Sequence, residues 1–246
     1  MPTLDLICLG VGKGSSSVLR GLPSTAFALR VDGRPELLID CGAGVALSYR
    51  RLLGEALPAR IYLSHNHHDH AGDLPIVLLS ALDLRASVLG HPDVLEIVRE
   101  HRLHDGPEVR RAFQERIEWV AADARGVIAL GGLLPGLALE LVRSRHSYLC
   151  YGFVLRRDGV DLLGYTADSG FEEGIYARVT RAPVAILDGR EQGNADHASF
   201  AEIEAFARRV PGCDIRVVHY EDTDHRFAES NVRLLREGEV VPLGIA

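Results

Sequence analysis

His65-Asn66-His67-His68-Asp69-His70 sets three imidazoles and a carboxylate in an H-x-H-x-D-H pattern within six residues. Neutral imidazole together with carboxylate suits Zn²⁺, Fe or Mn²⁺, whereas Ca²⁺ and Mg²⁺ prefer all-oxygen shells. A solvated His-rich loop is the plainer reading, but it requires no such spacing. The run Ile61-Tyr62-Leu63-Ser64 just before is short, apolar and β-prone. It should deliver the motif at the C-terminal end of a strand, with His65 and His67 on a shared face. Gly72-Asp73-Leu74-Pro75 then reads as the start of a helix over 76–84, which puts Asp69 and His70 on the connecting loop. These groups are too few and too crowded to close two metal shells, so further ligands must come from far along the chain.

Composition bounds the rest. A chain of 246 residues, 47% hydrophobic and 25% charged, fits one large domain over 1–246 with a substantial core. Its four cysteines, Cys8, Cys41, Cys150 and Cys213, lie far apart with no C-x-x-C pair, so neither a disulfide framework nor a thiolate zinc knuckle is signalled. The expected setting is reducing and cytoplasmic. The start, Met1-Pro2-Thr3-Leu4-Asp5, lacks a basic leader, and the longest apolar stretch, 127–142, is broken by glycines and a proline, so no membrane contact is expected. Net charge is −7 and Lys13 is the one lysine, with no basic run to track a polynucleotide backbone. Long nucleic acid is therefore disfavoured as a partner, and a homodimer stays open.

Strands are expected over 4–9, 25–31, 37–40 and 86–90, and helices over 45–53, stopped by Gly54, and 93–103 after Pro92. Another helix is read over 107–116. The second half should carry strands near 116–121, 137–143, 151–156, 161–165, 184–187 and 215–219, with helices near 171–179 and 199–209. Strand runs with returning helices in both halves favour two sheets covered by helices over one doubly wound sheet. Gly10-x-Gly12-x-Gly14 matches neither a dinucleotide fingerprint nor a P-loop, and reads as a tight turn. Its amides and the hydroxyls of Ser15 and Ser16 are candidates for holding a substrate phosphate.

Three later positions put a ligating side chain just past an expected strand: His146, Asp168 in Thr166-Ala167-Asp168-Ser169-Gly170, and His219. Each alone is weak, since Asp168 would serve equally as a turn or cap residue. In that order, with Leu38-Ile39-Asp40-Cys41-Gly42 ahead of the His cluster, they closely resemble the metallo-β-lactamase superfamily over essentially the whole chain. The resemblance implies a four-layer αβ/βα sandwich of two mixed sheets with helices on the outer faces and the site at one edge. It further implies one metal on His65, His67 and His146, a second on Asp69, His70 and His219, Asp168 bridging them, and Asp40 as a supporting carboxylate.

Within that superfamily the opening Leu9-Gly10-Val11-Gly12 with Gly14-Ser15-Ser16-Ser17 looks like the start of ribonuclease Z and related phosphodiesterases, as does the segment from His146-Ser147 to Tyr151-Gly152-Phe153. His197, in Asp196-His197-Ala198-Ser199, stands 22 residues before His219, the separation at which ribonuclease Z-like enzymes carry a further His. Capping of the next helix by Asp196 or Ser199 would explain the same residues without catalysis. A cationic His197, oriented by Asp188, would stabilise an oxyanion or protonate a leaving alkoxide, which a thioester needs less.

The expected activity is hydrolysis of a small phosphodiester or cyclic phosphate. Two Zn²⁺, with Mn²⁺ or Fe²⁺ as alternatives, would share and ionise a water, and Asp69 or Asp168 would accept a proton. No Gly/Pro-rich arm of the kind that grips tRNA is visible. The rivals are a glyoxalase II-like thioester hydrolase, a mononuclear-iron sulfur dioxygenase, and a non-catalytic metal-containing sensor. His91, His101 and His104 read as surface residues, and His225 as a candidate pocket-lining residue.

Overall fold

The computed structural model describes residues 2–54, 57–80, 85–103 and 115–244, with the Ser15 side chain outside that set. Among the described residues, fourteen strands form two mixed seven-stranded sheets. The first takes β1 (Leu4–Gly10), β2 (Ala26–Val31), β3 (Arg34–Ile39), β4 (Arg60–Tyr62), β5 (Ala86–Gly90), β6 (Ile117–Ala121) and β14 (Val240–Leu243), in the order β14-β1-β2-β3-β4-β5-β6. The second takes β7 (Val127–Ala129), β8 (Leu137–Arg143), β9 (Tyr151–Arg157), β10 (Val160–Tyr165), β11 (Val184–Asp188), β12 (Asp214–Val218) and β13 (Val232–Leu234), ordered β13-β12-β11-β10-β9-β8-β7. Strands β3 to β6 run parallel, as do β10 to β13.

Period-two alternation sorts the first sheet's side chains between two cores. Leu6, Cys8, Phe27, Leu29, Leu37, Ile39 and Tyr62 join the second sheet's apolar residues between the sheets. Their neighbours Ile7, Leu9, Ala26, Ala28, Leu38 and Ile61 pack instead with residues of α2 (Val45–Leu53), α4 (Leu74–Ser80) and α5 (Pro92–His101). Burial on both faces is why these strands are apolar at nearly every position. Beyond the second sheet, α6 (Glu173–Val179) and α7 (Phe200–Ala207) place Ile175, Tyr176, Phe200, Ile203 and Phe206 in the same core as its strands. This is the αβ/βα sandwich that the sequence led us to expect.

Local differences have local causes. The glycine run ends in a short helix, α1 (Gly14–Leu19), not in a turn alone. Its Gly and Ser residues have poor helix propensity, and tertiary context supplies the difference: α1 packs on the one-turn helix α3 (His68–Ala71), and the Ser17 hydroxyl donates to the Lys13 carbonyl. Asp69 and His70 therefore lie in α3, where a connecting loop was expected. Helix α4 begins at Leu74, and Asp73 accepts from the Ala46 amide, so it satisfies the start of α2 as well. Strands β7, β13 and β14, of three or four residues, are too short to show a period. The helix read over 107–116, His104 and residues 81–84 of the helix read over 76–84 fall wholly or largely outside the described residues.

Candidate metal centre

The site lies where the C-terminal ends of the parallel strands of both sheets converge, the usual place for ligands in open α/β sheets. Asp40 follows β3, His65 follows β4, Asp168 follows β10, Asp188 ends β11 and His219 follows β12. The two sheets are pinned together here: the Tyr151 amide donates to the Ser64 carbonyl at 3.0 Å, and the Tyr62 hydroxyl donates to the Tyr151 carbonyl at 2.7 Å. Asp40, Ala167 and His219 hold left-handed backbone conformations, with φ of 59°, 51° and 66°. Each such non-glycine residue costs about 1 kcal/mol, tolerated where the surroundings over-determine the chain's direction.

Two groups of potential ligands share one carboxylate. His65, His67, His146 and Asp168 form the first, and Asp69, His70, Asp168 and His219 the second; within each, the donor atoms lie within 4.8 Å of one another. Asp168 divides its oxygens between them. Its Oδ2 faces His65 Nε2 at 3.8 Å and His146 Nε2 at 4.0 Å, and its Oδ1 faces His70 Nε2 at 3.0 Å and His219 Nδ1 at 3.4 Å. Asp69 Oδ2 stands 3.9 Å from both His70 Nε2 and His219 Nε2, held by the Gly14 amide at 2.8 Å.

The remaining imidazole atoms show what the cluster lacks. Asp40 Oδ2 accepts from His70 Nδ1 at 2.9 Å, from Ser64 Oγ at 2.9 Å and from the Tyr165 hydroxyl at 3.2 Å. With its own hydrogen committed to Asp40, Ser64 Oγ can only accept from His65 Nδ1, 3.0 Å away. Thr25 Oγ1, which donates to the Gly12 carbonyl, stands 3.4 Å from His219 Nδ1. With each Nδ1 proton so placed, the Nε2 atoms of His65, His70 and His219 are left bare, and all three are buried without a hydrogen-bond partner. Buried nitrogens are rarely left so, and cations held by the two groups would satisfy them, so the donor set fits metal. His146 differs, because its Nδ1 accepts the Tyr148 amide at 3.1 Å. Its neutral ring then carries the proton on Nε2, and it would ligate through that atom only as the other tautomer, with the proton on Nδ1 and the Tyr148 hydrogen bond given up.

Electrostatics agree with bare imidazole nitrogens at every ring of the cluster except His70, which the carboxylates on either side draw toward the protonated form. Burial pushes the His65 pKa well below its usual value, with neighbouring His70 adding to the effect, and burial lowers those of His67 and His146 as well. For His219 burial outweighs Asp168 and Asp69 and takes the value down to about 3. At His70 the burial penalty is overridden by Asp168 and Asp40, which push the value well up. Asp168 is buried too, yet His219 and His70 hold it well below the carboxylate range.

His197 Nδ1 donates to Asp188 Oδ2 at 2.7 Å, and its ring stacks on His219 at 5.1 Å and lies 5.6 Å from His146. Asp188 also accepts the Ser169 amide, and burial raises its pKa to about 6. Ser199 is the N-cap of α7 and forms a capping box with Glu202, whereas Asp196 accepts the Ser147 amide and hydroxyl. Capping thus accounts for Ser199 and leaves His197 beside the cluster.

Other candidates fall elsewhere. Ser16 Oγ donates to Glu221, and Ser15 lies in α1 with its side chain outside the described set. His225 packs against Phe200 and Phe227, with ring centroids at 4.7 and 4.6 Å, and is not among the metal-facing residues. His91 caps α5 and stacks on Tyr151.

Sequence reading missed Tyr148, whose ring lies 5.0 Å from His67, and Arg102. Arg102 donates to Asn66 Oδ1 at 2.8 Å and to the Asn66 carbonyl at 2.6 Å, and its Nη1 lies 3.2 Å from His68 Nδ1, so it grips the two motif residues that are not ligand candidates. Nothing in the sequence around Arg102 signals this; Tyr148 is flagged only by standing two residues after His146.

The sequence model of a family described as "Anti-Pycsar protein Apyc1" matches residues 4–241. The chain belongs to this family. It is 33% identical over 106 residues to a ribonuclease Z of Pseudomonas putida, a match covering 42% of the chain and 30% of that enzyme's length. In structure it is similar to the metallo-β-lactamase fold protein YhfI of Bacillus subtilis, with a TM-score of 0.76, 16% identity, and coverage of 98% of the chain and 100% of YhfI. A diphosphatase from the PhnP family superposes with a TM-score of 0.74 at 16% identity, both chains being covered in full at 100%. The fold is that of the metallo-β-lactamases, and the chain is a relative of the superfamily's hydrolases.

Proposed function

We propose that the chain is a dinuclear metal-dependent phosphodiesterase that hydrolyses a small phosphodiester or cyclic phosphate to a phosphomonoester. The observation that carries this reading is Asp168, whose two oxygens each face a different cluster of histidines. His65, His67 and His146 would hold one ion, Asp69, His70 and His219 the other, and Asp168 both, with Zn²⁺ preferred by the N/O donor set. Bound there, the pair would act as Lewis acids that ionise a water and neutralise charge on the phosphoryl oxygens.

The chain's own residues supply the rest. Asp40 and Ser64 orient His70 and His65 through their Nδ1 atoms, leaving Nε2 to face the site. Asp69, fixed by the Gly14 amide, is placed to take up a proton from the attacking water. His197, held at Nδ1 by Asp188, delivers a proton to the departing alkoxide, a step that an ester with a poor leaving group requires. The acidic balance of the chain supports a small substrate over a long polynucleotide. Four buried cysteines without a disulfide support a reducing, cytoplasmic setting.

Elemental analysis together with bis-p-nitrophenyl phosphate turnover tests the proposal. Two equivalents of metal and activity lost on chelation are expected, and His197→Ala should retain both ions while losing about 10²- to 10⁴-fold in kcat. Activity that persists in thoroughly chelated protein would refute it.

A further inference from the structure

A cavity of about 320 Å³ opens beside the candidate metal centre, and its walls are sequence neighbours of the site residues. Lys13 precedes Gly14, whose amide holds Asp69; Arg190 lies two residues beyond Asp188; Phe200 is three beyond His197; Tyr220 follows His219. Among these wall residues Arg190 is singular. Its backbone is fixed, the amide donating to the Ala198 carbonyl at 2.9 Å and the carbonyl accepting from the Phe200 amide at 2.7 Å. Its half-buried side chain nevertheless makes no hydrogen bond or ion pair among the described residues, and its Nε is buried without a partner.

The cavity's carboxylates do not quench it. Glu221 is engaged by Lys13 and Arg20 at 3.5 Å and by Ser16 at 3.2 Å, and Glu191 accepts the Thr223 hydroxyl at 2.9 Å. Asp222 also lines the cavity, and neither it nor Glu191 lies within ion-pair distance of Arg190. A buried guanidinium N–H left without an acceptor is costly, and the planar fork of donors it belongs to matches the oxygens of a phosphate. Arg190 stands two residues past Asp188, and its backbone is hydrogen-bonded to Ala198 and Phe200, residues that follow His197 in the chain.

Building on the phosphodiesterase reading, we infer that Arg190 is the substrate-phosphate anchor, pairing with the non-bridging oxygens of the scissile group while the organic part occupies the cavity beside it. Glu191 and Asp222 then fence the anchor and repel any second phosphate. The subsite is thus selective for an ester carrying one phosphate, flanked by an uncharged organic group.

Binding of inorganic phosphate to the metal-loaded protein, followed by calorimetry, tests this alongside steady-state kinetics. In Arg190→Gln, phosphate should bind about 10- to 100-fold more weakly, as expected for loss of a charged hydrogen-bond pair. Its KM for bis-p-nitrophenyl phosphate should rise more than its kcat falls, with metal content unchanged. Arg190→Lys, which keeps the charge but not the fork, should fall between the two and carries the test if the Gln variant fails to fold. Equal phosphate affinity in wild type and variants, or no phosphate binding by the wild type, overturns the anchor. Phosphate binding that depends on Arg190 in a protein that cleaves no diester would retain the anchor and remove the phosphodiesterase reading, whereas diester cleavage with unaltered KM in Arg190→Gln would do the reverse.

Discussion

The first sheet offers His65, His67, Asp69 and His70 from one short segment after β4, whereas the second offers His146, Asp168 and His219 from the ends of three different strands. The first set is braced locally. Asp40 and Ser64 hold two of its rings, Arg102 grips the residues between, and the Cys41 amide donates to the His70 carbonyl at 2.7 Å. The second set relies on strand register, since β10, β11 and β12 must align for Asp168, Asp188 and His219 to meet. One half is preorganised by hydrogen bonds from the segments packed around it, the other by the sheet.

Asp168→Ala should break that comparison most completely, because its two oxygens face both sets; we expect turnover to fall to background and metal content to drop below two equivalents by elemental analysis. Asp40→Asn should touch only the first sheet's set, weakening metal affinity by about 10- to 100-fold, as loss of a carboxylate behind a ligating His does. Competition with a chromogenic chelator would measure it. Gly42→Ala tests the bracing without replacing a ligand side chain: a Cβ there would stand 1.8 Å from the Asp69 carbonyl oxygen, so the backbone carrying Asp69 must shift. We expect a loss of about 1–3 kcal/mol in denaturant unfolding, as for an overpacked interior, together with weakened metal binding. Ser199→Ala removes the capping box of α7 in the second half and should cost about 1 kcal/mol while leaving metal content at wild-type level.

The same contrast decides what could be read from the sequence. The first set was legible because its spacing is compressed into six residues. Val45–Leu53 was legible in full because apolar periodicity and a left-handed Gly54 agree. His146, Asp168 and His219 were visible only as ligating residues past apolar runs, and their convergence depends on sheet order, which local pattern does not encode. Helix α1 was missed because its stability comes from packing on α3, against its own propensities. Arg102 and Arg190 were missed because an arginine's role is set by what faces it, and Asn66 lies 36 residues from Arg102.

The pairing of β14 with β1, Leu4 opposite Leu243, has a consequence for biosynthesis. The layer carrying the histidine segment acquires its outermost strand only when residues 240–243 emerge from the ribosome. Until then β1 presents an open hydrogen-bonding edge, and the contacts that close it join residues 4–7 to residues 240–243, far apart in sequence. Such high contact order favours slow, late consolidation, so the nascent chain should depend on shielding from aggregation until β14 docks.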